Sequence, residues 1–213
     1  MKAFLVANPK GGSGKSTLAT NLAGYFANKG CEVMLGDIDR QQSSREWLGI
    51  RPFELPTIDT WEVGHDNIAR PPKGTTHVVL DTPAGLHGKM LERVLKLSTR
   101  VIVPVQPSLF DMLATRHFLS ELLSEKAVRK GKADVAVMAM HADQRELRAL
   151  QTGVQRAGLE VVDSYVSLTE SSEYAKGMPE EAIKARLYPS IPPQGHDLPA
   201  WCFYPMSKKR EGH

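Results

Sequence analysis

Three short stretches of this chain carry residue types that could handle a phosphate-bearing ligand. The first is NPKGGSGKST at residues 8–17, which follows the apolar run AFLVA. Gly11, Gly12 and Gly14 would let the backbone turn its N–H groups inward around phosphate oxygens. The N-terminus of the following helix would add partial positive charge. Lys15 would reach the β- and γ-phosphates, and the Ser16 hydroxyl would ligate Mg²⁺, with Ser13 and Thr17 completing the loop. The stretch departs from the usual G-x-x-x-x-G-K-[ST] loop in two ways: Pro9 stands where the first glycine belongs, and a second lysine, Lys10, precedes the glycines. A glycine-rich turn with incidental lysines is the bland alternative. The strand before it and the amphipathic helix after it argue for the phosphate loop.

The second stretch, VMLGDIDRQQSS (33–44), brings Asp37 and Asp39 just past the end of an apolar strand. Both could face Mg²⁺ or an attacking water, because ligands of open parallel sheets sit at the carboxyl ends of strands. Alternatively they are loop acids that cap a helix starting near Gln42. The third, VVLDTPAG (78–85), presents Asp81 in the same way, before a Pro–Ala–Gly turn. An acid so placed can hold Mg²⁺ directly or through water, and Gly85 behind it can sense a γ-phosphate; helix capping is again the alternative.

These residues need a scaffold that brings several strand ends together. Apolar runs at 2–7, 32–37, 76–81, 100–105, 134–140 and 159–166 predict strands buried on both faces, with a short edge strand near 57–61. Between them, helical spacing appears over 15–29, at Leu86, Met90, Leu91, Val94 and Leu95, at Leu109, Leu113, Phe118 and Leu122, and over 144–158. Alternation with short connections predicts an α/β fold: a single-domain P-loop NTPase whose mostly parallel sheet carries helices on both faces. We expect that domain over residues 1–187, followed by a proline-rich tail over 188–213.

Taken together the motifs resemble the ParA/MinD family. KGGSGKST at 10–17 is similar to its deviant Walker A box, K-G-G-x-G-K-[ST]. DIDRQQSS resembles its D-x-D-P-Q switch I, with Arg40 in place of proline, and LDTPAG resembles its switch II. VPVQPSLFD (103–111), containing Pro107, is similar to the segment packed near the nucleotide base; His141 and Ala142 match adenine-contacting positions only loosely. The resemblance implies that Lys10 crosses into a partner subunit and touches its ATP phosphates, so that two protomers sandwich two nucleotides. It also implies that Asp39 orients the hydrolytic water while Asp37 and Asp81 support Mg²⁺. Arg40 would loosen the switch I backbone and bear on the hydrolysis rate. Direct entry into the first strand points to the small ParA proteins without an N-terminal helix-turn-helix domain.

In that family the ATP dimer binds DNA without sequence preference, and a ParB-like or adaptor partner stimulates release. Such binding needs a basic surface. Candidates are Lys126, Arg129, Lys130 and Lys132, then Arg145, Arg148 and Arg156, and finally Lys184 and Arg186; each group also suits an ordinary solvated helix face. A net charge of +3 over 213 residues permits a polyanion partner without demanding one. Cys31 and Cys202 form no C-x-x-C pair, which argues against zinc and against the intersubunit cluster of an iron-protein-like ATPase. Pro189, Pro192, Pro193, Pro199 and Pro205 break any MinD-like membrane helix in the tail. With no signal peptide or span, the expected site is the cytoplasm, on the nucleoid when ATP is bound. The competing class is a biosynthetic ATP-dependent enzyme of the cobyrinic acid synthase or dethiobiotin synthetase type, which has no need of Lys10.

Overall fold

The computed structural model describes residues 1–60, 71–140 and 161–162. In chain order the elements are β1 (Lys2–Val6), α1 (Lys15–Asn28), β2 (Val33–Asp37), α2 (Ser43–Ile50), β3 (Asp59–Thr60) and β4 (His77–Asp81). Then follow α3 (Gly88–Leu97), β5 (Arg100–Val105), α4 (Leu109–Ser124), α5 (Lys126–Arg129), β6 (Asp134–Ala139) and β7 (Val161–Val162). The apolar runs up to 134–140 therefore do become strands, as does the edge strand near 57–61, and of the run at 159–166 the described pair Val161–Val162 is a strand. The tail, the helix expected over 144–158, and His141, Ala142, Arg145, Arg148, Arg156, Lys184 and Arg186 lie outside the described residues.

The seven strands pair in the order β3-β2-β4-β1-β5-β6-β7, and every pairing is parallel. Side chains alternate across the sheet because the strand period is two. Ala3, Leu5, Val78, Leu80, Val101 and Val103 enter one core with Leu91 and Leu95 of α3 and Phe118 and Leu122 of α4. Phe4, Val6, Val79 and Ile102 enter the other, with Leu18, Leu22 and Phe26 of α1. Each fully buried large apolar side chain contributes about 1.5–3 kcal/mol, so both cores hold the central strands firmly. The continuous apolar character of β1, β4 and β5 follows from being covered twice.

The chain leaves β1 toward β2 on one side and leaves β4 for β5 on the other. That reversal falls at the carboxyl end of β1, where the crevice of an open parallel sheet lies. The glycine loop occupies it.

A helix does form over the spacing of Leu109, Leu113, Phe118 and Leu122. Leu109 and Leu113 are nonetheless 62% and 44% exposed, and Phe110 is 74% exposed. The buried face starts only at Thr115 and continues through Phe118, Leu119 and Leu122. Thr115 stands level with the end of β5, since Asn8 Nδ2 donates to both Thr115 Oγ1 and the Pro104 carbonyl. In the turns before it Met112 packs partly against the core that holds Phe118, while Leu109, Phe110 and Leu113 stay exposed.

Candidate nucleotide site

The loop from Asn8 to Gly14 is fastened on three sides. The buried Asn8 amide donates to Pro104 O at 2.6 Å and Thr115 Oγ1 at 3.1 Å, while its Oδ1 accepts the Lys10 N–H at 2.8 Å. Thr82 Oγ1 donates to Val6 O, the Gly85 N–H donates to Pro9 O, and Gln106 Nε2 donates to Gly12 O. Pro9 lacks an N–H but contributes a carbonyl, so it serves here where the motif usually has glycine. Gly14 at φ 88° requires glycine: its backbone is left-handed, and an added Cβ would lie 2.9 Å from Met140 Cε. None of the anchors Asn8, Thr82 and Gln106 was identified from sequence. The one local signal was a polar residue, Asn8, standing directly between a buried strand and a proline.

Helix α1 begins at Gly14 with no side-chain cap and no acid in its first turn. Its leading N–H groups therefore face the loop, ready to donate to an anion. Lys15 is buried at 7% exposure, and its Nζ donates to Lys10 O at 2.8 Å. Burial pushes the Lys15 pKa down, and the charges of Asp81 and Asp39 pull it partly back. Ser13 Oγ donates to the same Lys10 carbonyl at 3.2 Å. The Lys10 ammonium, by contrast, makes no hydrogen bond or ion pair among the described residues.

Asp37 and Asp81 face each other as register partners on β2 and β4, 6% and 0% exposed. Asp81 accepts from the Thr82 N–H and from Ser44 Oγ at 2.6 Å. Asp37 accepts from the N–H groups of Asp39, Ser44 and Arg45. Asp37 thus does cap α2, and the two readings of this residue coexist. Burial is the main force raising both carboxyls above their ordinary range; their hydrogen bonds oppose it. Asp39 is half-buried beyond them, its Oδ1 accepting the Gln41 N–H. Gln42 stands at φ 53° and its amide donates to the carbonyls of Asp37 and Asp39, so this side chain ties the turn where proline would preset it.

One hydroxyl and two carboxylates, Ser16, Asp37 and Asp81, are a hard oxygen set that suits Mg²⁺, which keeps several waters. No cluster of three or more His, Cys, Asp or Glu that could form an all-protein cage occurs among the described residues. Pro107 is half-buried in the loop after β5, next to Gln106, which reaches Gly12. The basic group is elsewhere. Lys126 and Arg129 lie in α5, with Lys130 and Lys132 leading into β6, at the amino edge of the sheet. A six-residue strand separates that edge from the phosphate loop by about 20 Å. Acidic Glu92 and Glu125 are interleaved with it, Glu92 pairing with Lys96 at 2.8 Å.

The raised Asp81 pKa has a stability consequence. Where the folded value exceeds the unfolded one, the folded state binds more protons, so stability falls as pH rises through that window. Asp81→Asn, in nucleotide-free protein, is therefore expected to raise Tm at pH 7.5 by about 2–4 °C, for roughly 1 kcal/mol. The gain should shrink as pH falls and wild-type Asp81 takes up its proton. Thermal unfolding of both proteins across that range checks the sign.

A family model described as the CobQ/CobB/MinD/ParA nucleotide binding domain matches residues 4–180. The maintenance of carboxysome distribution protein A of Halothiobacillus neapolitanus is 28% identical over 176 residues, spanning 78% of this chain and 80% of that protein. In the MinC:MinD cell division protein complex of Aquifex aeolicus, a chain superposes with a TM-score of 0.59 at 15% identity, covering 92% of this chain and 99% of its own. pNOB8 ParA bound to nonspecific DNA superposes at 0.56 and 18% identity, covering 76% and 79%. The two structures share the fold, and the family match spans the loop, both acidic strand ends and the sheet around them. The chain belongs to the CobQ/CobB/MinD/ParA nucleotide-binding domain family.

Proposed function

We propose that this chain is a ParA-type positioning ATPase: Mg²⁺–ATP drives two copies into a sandwich dimer that binds DNA without sequence preference, and hydrolysis to ADP and phosphate resets it to monomer. The observation that carries this reading is the division between the two loop lysines. Lys15 is folded inward on the Lys10 carbonyl, whereas the Lys10 ammonium has no partner among the described residues. A charge left so at the rim of a phosphate loop suits delivery to a second nucleotide, as an arginine finger is delivered in trans. The exposed Leu109, Phe110 and Leu113 overhang the same edge, where a second copy facing across the nucleotides would cover them.

In this reading Gly11, Gly12, Ser13, Gly14, Lys15 and Thr17 cradle the phosphates, Pro107 borders the base, and Ser16, Asp37 and Asp81 hold Mg²⁺. The ion supplies charge neutralisation at the β- and γ-oxygens. Asp39 orients the water. Lys126, Arg129, Lys130 and Lys132 contribute to the DNA face, together with Arg145, Arg148 and Arg156, and a ParB-like or adaptor protein accelerates hydrolysis. The ATP-bound form associates with the nucleoid. Among the described residues no helix is long and apolar enough to cross a membrane.

Fluorescence anisotropy of a random-sequence duplex, with Mg²⁺–ATP against Mg²⁺–ADP at two salt concentrations, tests the proposal. Binding confined to ATP and weakened by salt is expected; three or four phosphate contacts would cost about tenfold or more in affinity between 50 and 200 mM. Binding indifferent to nucleotide would sink the proposal and favour a biosynthetic enzyme acting on a small carboxylate.

A further inference from the structure

Ser44 is fully buried in the first turn of α2, at the end of the stretch that carries Asp37 and Asp39, and none of the roles assigned above uses its side chain. Its hydroxyl donates to Asp81 Oδ2 at 2.6 Å, while its N–H donates to Asp37 Oδ2 at 2.9 Å. One small residue therefore touches both carboxylates of the cation site. A second hydroxyl, that of Ser16 in the first turn of α1, is near enough to lower the Asp81 pKa against the effect of burial. Asp81 thus lies near hydroxyls from two helices, one behind the phosphate loop and one behind switch I, and the Ser44 hydroxyl hydrogen-bonds it.

Helix α2 depends on this arrangement. Its N-cap residue, Gln42, provides no side-chain cap, and the leading N–H groups of Ser44 and Arg45 are satisfied by Asp37 instead. Such donors are costly to leave unpaired. The oxygens that anchor α2 are thus the ones a divalent cation would draw upon. A carboxylate oxygen that turns toward a cation weakens its bond to Ser44, and a shift of α2 in turn reaims the carboxylate. Coupling of this kind is reciprocal by thermodynamic necessity.

Resting on the nucleotide-site assignment above, we propose that Ser44 is a positioning residue: it aims Asp81 toward Ser16 and links the seating of α2 to occupancy of the cation site. Neither Asp81 nor Asp37 alone provides that link, because among the described residues only Ser44 hydrogen-bonds both. Ser44 acts through them and needs no contact with nucleotide.

Trp47, half-buried on α2 against the α1-side core, is a built-in reporter. The experiment titrates Mg²⁺ into the full chain holding a non-hydrolysable ATP analogue and follows tryptophan emission, with Trp47→Phe identifying the contribution of α2. Wild type is expected to show a Mg²⁺-dependent change that Trp47→Phe removes. Ser44→Ala should move the midpoint to about tenfold higher Mg²⁺, as loss of a group orienting a metal ligand does, and shrink the Trp47 amplitude. Binding of a fluorescent ATP analogue in EDTA should change less than twofold, and Ser44→Thr, which restores the hydroxyl, should recover the midpoint. Ser44→Cys, nearly isosteric with a weaker donor, replaces alanine if that variant does not fold, and should fall between. An unchanged midpoint and amplitude in Ser44→Ala would overturn the proposal while leaving the nucleotide site intact. A wild type that binds no nucleotide would overturn the nucleotide-site assignment itself.

Discussion

Lys15→Ala is expected to weaken nucleotide binding severely. The ammonium is buried and surrounded by the acceptors and acids of the loop, Lys10 O, Asp81 and Asp39. Burial holds its pKa down, so the charged form sits in an environment that desolvates it. An incoming polyphosphate would supply the counter-charge, and removing one partner of a buried charge pair typically costs about 2–5 kcal/mol. A fluorescent ATP analogue should therefore bind some 30-fold to several thousand-fold more weakly, by about tenfold per 1.4 kcal/mol. The variant should nevertheless fold, because the loop remains held by Asn8, Gly85 and Gln106. Unaltered analogue affinity in a folded variant would contradict the assignment of Lys15.

Lys10→Ala is expected to do something different. Its backbone N–H and carbonyl, which hold Asn8, Ser13 and Lys15, are unaffected by truncating the side chain. Affinity for the ATP analogue in a single protomer should stay within about threefold, since no loop contact is lost. Hydrolysis should instead collapse: charges supplied in trans at a transferring phosphoryl group are worth about 10³–10⁵ in kcat. Phosphate release under saturating Mg²⁺–ATP checks this. Equal losses of binding and hydrolysis would mean that Lys10 acts on its own protomer's nucleotide and needs no second copy.

The phosphate loop was legible in the sequence because it is a contiguous motif. Gly12 and Gly14 occupy the left-handed positions that the loop requires, so the spelling and the geometry agree. The strands were equally legible, since burial on both faces leaves unbroken apolar runs such as FLV and VVL. What holds the loop in place was not. Asn8 finds its partners at Pro104 and Thr115, about a hundred residues away, and Gln106 reaches back to Gly12; no local pattern encodes such contacts. Asp37 shows the limit of choosing between roles, for it caps α2 and faces Asp81 at once.

The exposed start of α4 has a similar origin. Leu109, Leu113, Phe118 and Leu122 share a helical period, but periodicity does not tell where the sheet beneath ends. Thr115 marks that edge, and the apolar residues before it stand exposed beside the loop. The pattern was real, and its first half faces away from this chain's own core. The basic residues illustrate the same point at the other end of the sheet: Lys126, Arg129, Lys130 and Lys132 cluster in sequence and in space, remote from the phosphate loop.

In the proposed function nucleotide governs association of two copies through Lys10, and light scattering coupled to size exclusion measures that association. The 23.5 kDa chain should elute as a monomer with Mg²⁺–ADP and at twice that mass with a non-hydrolysable ATP analogue and Mg²⁺. Lys10→Ala should remain monomeric in both. A mass that does not change between the nucleotides, or a Lys10→Ala protein that still doubles, would contradict it.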